Sequence, residues 1–276
     1  MGEKGILVAV GHALQEPWTS IFTAGSEKTW LTSNIPKEFL LVHFHGSPLK
    51  PFGLVWDRSH EYLRWKNHWF ASLLARLDTI IGYPLLSFIP KIQVSKKLHP
   101  SSPAFEVRFP DSYQFLRWKD LAVLKYFIEE TNCEYIFMTT NNSYINFSKL
   151  KKQLSVLPQT LFYGGAKAYE GAEFAAGNNR LISRDVAQLI LKHRKKFSLG
   201  LIEDLAMGEL VKSLNIAFIP LPSLIVGSLE ILSQTSDLVL EEHFHFRVKS
   251  GSLSSRNDVQ IMTSLHNRLI NLGVLQ

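Results

Sequence analysis

The chain has 276 residues, of which 46% are apolar and 20% are charged, and its formal net charge is +6 at pH 7. This balance excludes a disordered polar chain and is sufficient for a sizeable core. The excess of lysine and arginine favours an anionic partner, such as a nucleotide, a nucleic acid, an acidic glycan or an anionic lipid surface. The single cysteine, Cys133, excludes an intramolecular disulfide bond.

The sequence also predicts where the protein works. A strand-like run begins a few residues after Met1, which leaves no room for a signal peptide. No uninterrupted apolar stretch reaches the roughly 18 to 20 residues that a membrane-spanning helix needs. We therefore expect a reducing, cytoplasmic setting, with any membrane contact peripheral and at the inner face.

The N-terminal part of the chain predicts a parallel α/β sheet. Residues 5–10 (GILVAV) are rich in β-branched side chains and lead into Gly11 and His12, which is typical of a buried first strand. Residues 20–31 have a helical pattern, and residues 39–45 (FLLVHFH) have the pattern of a second strand. Strand, helix and strand at this spacing indicate a parallel sheet flanked by helices.

Residues 65–97 combine tryptophans and leucines at helical spacing with a cluster of lysines that follows them. One interpretation is an aromatic and basic surface that docks on a membrane or on a lipid-linked acceptor. The other is a helix that packs against the core, as most amphipathic helices do. The sequence leaves both interpretations open.

The next segment predicts the position of a ligand site. Residues 111–130 have the pattern of a long amphipathic helix, and residues 135–139 (YIFMT) that of a strand. Polar residues 140–143 (TNNS) follow this strand at once. Because ligands bind at the carboxyl ends of strands in open α/β sheets, we expect the site here. Two further helices are predicted, each with an N-cap residue: residues 147–154 after Asn146, and residues 183–193 from Ser183.

Short catalytic motifs are missing from the sequence. It has no phosphate-binding P-loop, no dinucleotide-binding glycine fingerprint, no HExxH zinc motif and no paired CxxC. Several common enzyme classes are therefore disfavoured. Nucleic-acid binding is disfavoured too, because the basic residues are dispersed and no nucleic-acid-binding module is recognised.

Three blocks, taken in order, carry a resemblance to a known family. Residues 109–146 contain an Asp-Ser-Tyr, a Leu-x-x-Lys helix and a cysteine that precedes a strand. Residues 169–191 contain a segment of small residues followed by Ser-Arg-Asp, and residues 202–216 (IEDLAMGELVKSLNI) contain Glu-Asp-Leu and a nearby glycine. In their order and spacing these blocks resemble the fringe and β-1,3-galactosyltransferase group of glycosyltransferases.

The resemblance implies a GT-A-type α/β fold, in which a Rossmann-like mixed sheet is flanked by helices in a single domain over residues 1–276. It implies a nucleotide-sugar-binding half over about residues 1–146 and an acceptor-binding, catalytic half over about residues 147–276. It also implies an inverting transfer of a sugar from a UDP-sugar donor to a glycan or glycoconjugate acceptor, lipid-linked acceptors included.

The resemblance places a catalytic base at Asp204. In an inverting transfer a carboxylate accepts the proton of the acceptor hydroxyl as that oxygen attacks. Asp204 matches the position of this base in the family, and Glu203 is the alternative. Aspartate is also common at helix N-caps, which is the simpler interpretation of the same residue.

The chain departs from the family at the metal motif, where Thr140, Asn141 and Asn142 stand in place of carboxylates. Neutral amides are poor ligands for a hard divalent cation. We therefore expect no metal site and no required cofactor, manganese included. The same loss allows a second interpretation, an inactive pseudo-glycosyltransferase that still binds a sugar nucleotide or a glycan.

Residues 243–250 (HFHFRVKS) offer a cationic substitute for a metal. In a strand, His243, His245, Arg247 and Lys249 would share one face. Arginine can hold two phosphate oxygens and a protonated histidine adds charge, so we expect this face to stabilise the departing diphosphate. An exposed edge strand explains the alternation equally well, and a metal site at His-x-His lacks a third ligand.

The remaining assignments rest on position. Gly11 and His12 follow the first strand and Lys119 occupies one of the family's positions, so all three are assigned to the donor site with residues 140–142. Tyr169, Glu170 and Glu173 are assigned to the acceptor side, where the tyrosine can stack on a sugar ring.

Overall fold

The computed structural model describes residues 5–32, 35–47, 94–95, 104–111, 115–198, 201–251 and 256–275. The predicted α/β class is confirmed, because the described strands form an eight-stranded mixed sheet flanked by helices. In sheet order its strands are β3 (Val94–Ser95), β4 (Ala104–Pro110), β2 (Phe39–Ser47), β1 (Ile6–Gly11), β5 (Tyr135–Thr140), β8 (Ala175–Ser183), β7 (Tyr163–Lys167) and β9 (Phe218–Pro220). Apart from β3, the aromatic and basic segment at residues 65–97 lies outside the described residues.

The directions of the strands fix the place of the site. Strand β1 runs parallel to β2 and β5, and β4 runs parallel to β2, whereas β8 is antiparallel to β5. The carboxyl ends of β1, β2, β4 and β5 therefore lie along one edge of the sheet, which we call the carboxyl edge. The opposite side, where these strands begin, is the amino edge.

Both faces of the sheet are covered. Helices α1 (Leu116–Glu130), α3 (Arg184–Lys192) and α4 (Glu203–Ser213) pack on one face. The other face carries α2 (Phe147–Ser155), α5 (Leu229–Gln234), α6 (Asp237–Glu242), α7 (Asp258–Asn271) and a second sheet of β10 (Leu224–Val226), β11 (His245–Val248) and β6 (Ser143–Ile145). Alternate residues of β1 enter the two cores, so this strand is buried on both faces. Within the described residues no helix is long and apolar enough to cross a membrane.

The prediction of one helix over residues 20–31 is wrong. The segment forms a single α-turn at Trp18–Ser20, a π-turn at Ile21–Gly25 and 3₁₀ turns at Ser26–Lys28 and Trp30–Thr32. Tertiary contacts override the helical pattern here. The Ser26 hydroxyl donates to the carbonyl oxygen of Asn141 at 2.7 Å, and a side chain at Gly25 would lie 3.0 Å from the sulfur of Met262.

The predicted helices elsewhere are present, with changes at their ends. Helix α1 begins at Leu116 and not at Asp111, because Asp111 directly follows β4 and is buried in a hydrogen-bonded cluster. Asn146 is confirmed as an N-cap, since its side chain accepts from Lys149 N at 3.1 Å. Ser183 lies at the N-cap position of α3 but forms no cap bond, because its hydroxyl donates to the Asp185 carboxylate.

Asp111 joins three elements at the carboxyl edge. Its carboxylate accepts from Leu14 N at 3.0 Å and from Gly46 N at 3.2 Å, which are in the segments after β1 and at the end of β2. The Lys119 ammonium of α1 lies 2.5 Å from the same carboxylate, and both side chains are almost fully buried. A buried carboxylate needs such partners, so this pair fixes the loops that border the site.

We predict that Lys119→Met lowers the free energy of unfolding by about 3 to 5 kcal/mol, because it leaves Asp111 buried without its counter-ion. Urea unfolding followed by circular dichroism measures this. The control is Lys125→Met, which removes an exposed pair with Glu129 on the same helix and should cost about 0.5 kcal/mol or less. Equal losses in the two variants would contradict the role given to the Asp111–Lys119 pair.

Candidate active site

The structure brings most of the predicted donor residues to one place. At the carboxyl edge Gly11 lies beside Thr140 in the sheet, and Asn141 N donates to the Gly11 carbonyl at 3.1 Å. The chain then turns into β6, which pairs with β11, and Val248 N donates to the Asn142 carbonyl at 2.8 Å. The ends of β1 and β5 and the whole of β11 therefore border the same region.

The side chains of residues 140–142 do not fit a divalent metal ion. The Asn141 amide donates to the carbonyl of Trp18 at 2.7 Å, and the amide oxygen of Asn142 accepts from the Thr140 hydroxyl at 2.6 Å. Both amides are thus engaged with protein groups, and neither supplies an anionic oxygen. Among the described residues no cluster of three or more His, Cys, Asp or Glu side chains is arranged to hold a metal ion.

Gly11 and His12 contribute to packing. A side chain at Gly11 would approach the Phe44 ring to 2.9 Å, which explains the glycine. The imidazole of His12 is buried and stacks on Phe22 with 4.6 Å between ring centroids. Burial, with the nearby His45, lowers the pKa of His12 to about 3, so this side chain is neutral at physiological pH.

Lys119 is not available to a donor, contrary to the prediction. Its ammonium is 2.5 Å from the Asp111 carboxylate and the residue is only 5% exposed. The residue type is compatible with binding phosphate, but its charge is already neutralised inside the protein. Its effect on the site is therefore exerted through Asp111.

The cationic face predicted for residues 243–249 is not formed by the two histidines of that segment. His243 ends α6 and lies outside the strand, with Nδ1 2.7 Å from the Val239 carbonyl. His245 is fully buried between the two sheets, with Nδ1 2.7 Å from the Ser223 hydroxyl. Burial lowers the pKa of His245 to about 3, so it cannot supply positive charge. Lys249 is exposed beyond the end of the strand.

Arg247 is the cation that β11 presents. It is partly buried, it pairs across the sheet with Ser143, and its Nε has no hydrogen-bond partner among the described residues. Burial lowers the pKa of Arg247, and the carboxylate of Asp204 opposes this effect. The charge of Asp204 therefore acts on Arg247, although the two residues are 43 positions apart in sequence and form no direct ion pair.

Asp204 lies in the first turn of α4, whose N-cap position is held by Ile202 with no side-chain cap bond. Burial raises the pKa of Asp204, the charge of Glu203 raises it further, and Arg180 lowers it. The side chain is partly exposed, and Tyr163 and Arg247 are its other titratable neighbours. A carboxylate with a raised pKa is a better proton acceptor, which suits a general base.

Glu203, the alternative base, is engaged elsewhere. Its carboxylate lies 2.8 Å from the guanidinium of Arg180, which also donates to Asp120 at 2.9 Å, and Arg180 is fully buried. Burial acts to raise the pKa of Glu203, but Arg180 and a hydrogen bond from Asp120 lower it overall. Burial and the Glu203 charge raise the pKa of Asp120, whereas Arg180 lowers it. We call these three residues the buried triad.

Several residues of the site were not foreseen from the sequence. The side-chain nitrogen of Asn178, the side-chain amide of Asn179 and the Ser143 hydroxyl are buried and have no hydrogen-bond partner among the described residues. His245 lies against the backbone carbonyl of Asn178, which joins this group to β8. The sequence carried one signal of this group: three consecutive polar residues, Asn178 to Arg180, interrupt the small and apolar residues of β8. We give the name polar recess to the group of side chains formed by Ser143 of β6, Asn179 of β8, Asp204 of α4 and Arg247 of β11.

A second arginine also lies at the carboxyl edge. The guanidinium carbon of Arg256 is 4.7 Å from the centre of the Trp18 ring, and Trp18 accepts from Asn141. The charge of Arg256 lowers the pKa of Arg247, so the two cations are neighbours. Asp258 already pairs with Arg256, which leaves Arg247 as the better anion ligand.

The predicted acceptor residues lie in the connection from β7 to β8, which is also at the carboxyl edge. Tyr169 is 62% exposed and its ring meets Phe174 edge-on, 5.7 Å between centroids. Glu170 is exposed, and Glu173 pairs with Lys212 on the surface. The exposed Tyr169 ring is available to a sugar, whereas Glu173 is held by its lysine.

Comparisons with known proteins give structural likenesses alone. No protein-family model matches the chain, and no curated protein sequence matches it. The fold is similar to a glycosyltransferase involved in glycosylation of the major capsid of PBCV-1, with 9% identity, a TM-score of 0.46 and coverage of 94% of this chain and 99% of that one.

Two further solved structures are similar to the same degree. For the glycosyltransferase GlyE of Streptococcus pneumoniae TIGR4 the identity is 9% and the TM-score 0.45, over 98% of this chain and 65% of that one. For mouse xyloside xylosyltransferase 1 the identity is 10% and the TM-score 0.41, and the match covers 90% of this chain and 98% of that one. The membership in the fringe group expected from the sequence stays a prediction, and the function must be argued from this chain's own residues.

We predict that Glu203→Gln lowers the pKa of Asp204, because it removes the negative charge beside that carboxyl group and keeps an acceptor for Arg180. Carbon-detected NMR of protein with ¹³C-labelled aspartate measures this pKa from the change of the Asp204 carboxyl resonance with pH. The resonance is assigned by its absence in Asp204→Asn. Glu209→Gln, an exposed position on the same helix, is the control and should leave it unchanged. An unaltered pKa in Glu203→Gln would mean that the triad does not act on Asp204.

Proposed function

We propose that this chain is a glycosyltransferase that moves a sugar from a UDP-sugar to a hydroxyl of a glycan or glycoconjugate acceptor in the polar recess. The observation that carries the proposal is the electrostatic interaction between Asp204, a partly exposed carboxylate with a raised pKa, and Arg247, a cation with an unpaired Nε. A base and an anion ligand in one recess are the two groups that a direct displacement requires.

The proposed reaction is a single displacement with inversion at the anomeric carbon. The acceptor oxygen forms a bond to that carbon as the bond from the carbon to the phosphate oxygen breaks. Asp204 takes the proton of the acceptor hydroxyl, and UDP leaves with the electron pair of the broken bond. The partial exposure of Asp204 allows an acceptor to reach it, which the buried Glu203 does not permit.

Arg247 serves the leaving group in this proposal. Its planar guanidinium can bind two phosphate oxygens, and its charge opposes the negative charge that develops on the diphosphate. The neighbouring Arg256 adds to the positive field. Charge stabilisation is assigned to these arginines because residues 140–142 provide no anionic ligands for a metal ion.

The donor sugar is assigned to the inner wall of the polar recess. Asn178 is a neutral hydrogen-bonding group that is 8% exposed, and its side-chain nitrogen has no hydrogen-bond partner among the described residues. Leaving such a group unpaired costs free energy, and a sugar hydroxyl can accept from it. Behind Asn178, the fully buried Asn179, Ser143 and His245 carry no charge. The chemistry of this wall suits a neutral sugar.

We expect Asp204→Asn to lower turnover by about two to four orders of magnitude, the contribution of a positioned general base. The amide keeps the shape of the side chain, so UDP affinity should stay at the wild-type value. Steady-state hydrolysis of UDP-glucose and UDP-galactose, with calorimetric titration of UDP, separates the two effects. Turnover close to wild type would remove Asp204 from the mechanism.

Arg247→Ala should weaken UDP binding by about 1.5 to 3 kcal/mol, which corresponds to roughly a tenfold to hundredfold loss of affinity. Lys249→Ala, at the next position on the same side, is the matched control and should bind UDP normally. Turnover of the wild type should also survive a chelator. Loss of activity with chelator, its recovery with manganese and unchanged UDP affinity in Arg247→Ala would together point to a metal site instead.

The second candidate is a non-catalytic protein that binds a sugar nucleotide. The observation that favours it is the engagement of Asn141 and Asn142 with protein groups at the position where the resembled family has metal ligands. It predicts normal UDP binding and no turnover of any UDP-sugar with or without manganese, and equal sugar-nucleotide affinity in Asp204→Asn. Measurable hydrolysis that Asp204→Asn abolishes would exclude it.

A further inference from the structure

A basic segment outside the polar recess remains without a role. Residues 192–196 (KHRKK) are five consecutive basic residues, and no aspartate or glutamate lies between Asp185 and Glu203. The lysines and the arginine of this segment carry four positive charges of a chain whose net charge is +6. Four of the 30 lysines and arginines of the chain are therefore adjacent or nearly adjacent in one turn with no nearby acid in sequence, and we call this segment the basic turn.

The basic turn lies at the surface between buried anchoring residues. It comprises the last residue of α3 and a 3₁₀ turn at Arg194–Lys196. Val186, Ala187 and Ile190 of α3, and then Phe197, are buried on either side of it. Lys192, Lys195 and Lys196 are exposed, and none of the four cations has an ion-pair partner among the described residues.

The basic turn lies at the same end of the molecule as the proposed site. Helix α3 starts at the amino edge, where Ser183 pairs with Tyr135, and runs towards the carboxyl edge. Phe197 lies under the Arg117 guanidinium, 6.0 Å away, at the start of α1. Arg117 also donates to the carbonyls of Ser198 and Leu201 at 2.9 and 3.1 Å, just before Asp204.

We propose that the basic turn docks the protein on an anionic phospholipid surface, with the carboxyl edge directed towards that surface. Lysine predominates, and its ammonium is a hydrated point charge that suits diffuse attraction to many headgroups better than bidentate recognition of one ligand. The turn contains no phenylalanine, tyrosine or tryptophan that could serve as a stacking platform for nucleic-acid bases. Each basic residue near an anionic surface increases the partition coefficient onto the vesicle roughly fivefold. The combined attraction of four such residues is therefore larger than the thermal energy that favours dissociation.

The proposal is independent of the polar recess, and its test needs no substrate. The full chain is sedimented with vesicles of phosphatidylcholine alone and with vesicles that also contain phosphatidylglycerol, at low and high salt. The test variant is Lys195→Glu/Lys196→Glu. The matched control is Lys149→Glu/Lys152→Glu, which changes the net charge equally but lies on α2, on the opposite face of the sheet.

We expect wild type and control to bind the phosphatidylglycerol vesicles, to release them at high salt and to ignore phosphatidylcholine. The partition of the test variant should fall by at least about tenfold. Equal losses in the two variants would show that net charge alone drives binding, and an unaffected test variant would place the contact elsewhere. Either result overturns the proposal, as does tight salt-dependent binding of single-stranded RNA by the basic turn without vesicle binding.

Discussion

The candidate site depends on the burial of one arginine. Arg180 has no solvent exposure, and its guanidinium contacts Asp120 from α1 and Glu203 from α4. Because an unpaired charge in this interior would be very unfavourable, the three elements are obliged to meet at this point of β8. Helix α4 has no side-chain cap at its first turn, so the triad fixes the end that bears Asp204. Gly177 allows the close approach, since a side chain there would lie 3.1 Å from the Glu203 carboxylate.

Buried charge must be neutralised, and this rule determines which polar residues of the carboxyl edge can offer charge to a ligand. Lys119 is neutralised by Asp111, and the buried imidazoles of His12 and His245 are uncharged because burial lowers their pKa values. Arg247 keeps its charge and an unpaired Nε at the partly exposed rim. Among the described residues of the polar recess and those next to it, positive charge able to meet a diphosphate is therefore supplied by Arg247 and Arg256, while the inner wall offers neutral hydrogen bonds.

The amino edge presents the opposite chemistry. A cleft there is lined by Glu38, Glu129 and Glu130, and its only cation among the described residues, Arg184, already donates to the carbonyls of α1 and of Cys133. Glu38 and Glu129 are paired with Lys151 and Lys125, and the remaining carboxylate, Glu130, would repel a nucleotide diphosphate. The difference between the two edges is a reason to assign the donor to the carboxyl edge.

Local pattern was enough to predict the strands that end at the site, because alternation and β-branched runs report burial directly. It could also place Asn146 as a cap, since capping depends on neighbours in sequence. The buried triad could not be predicted, because Arg180 meets partners from two distant helices. The burial of His245 depends on the packing of the second sheet against the first, which an alternating strand does not reveal. The prediction of one helix over residues 20–31 is wrong for the same reason, since contacts with α7 and Asn141 outweigh the helical pattern of that segment.

The central claim, that a sugar nucleotide binds at the carboxyl edge between Asp204 and Arg247, can be tested by photo-crosslinking with a diazirine-bearing UDP-sugar analogue in the presence of a chelator. Mass spectrometry of the labelled peptides then locates the ligand. The account predicts labelling in residues 140–146, 175–180 or 243–249, competed by UDP. Labelling confined to residues 128–134 at the amino edge, or no labelling that UDP competes, would contradict it.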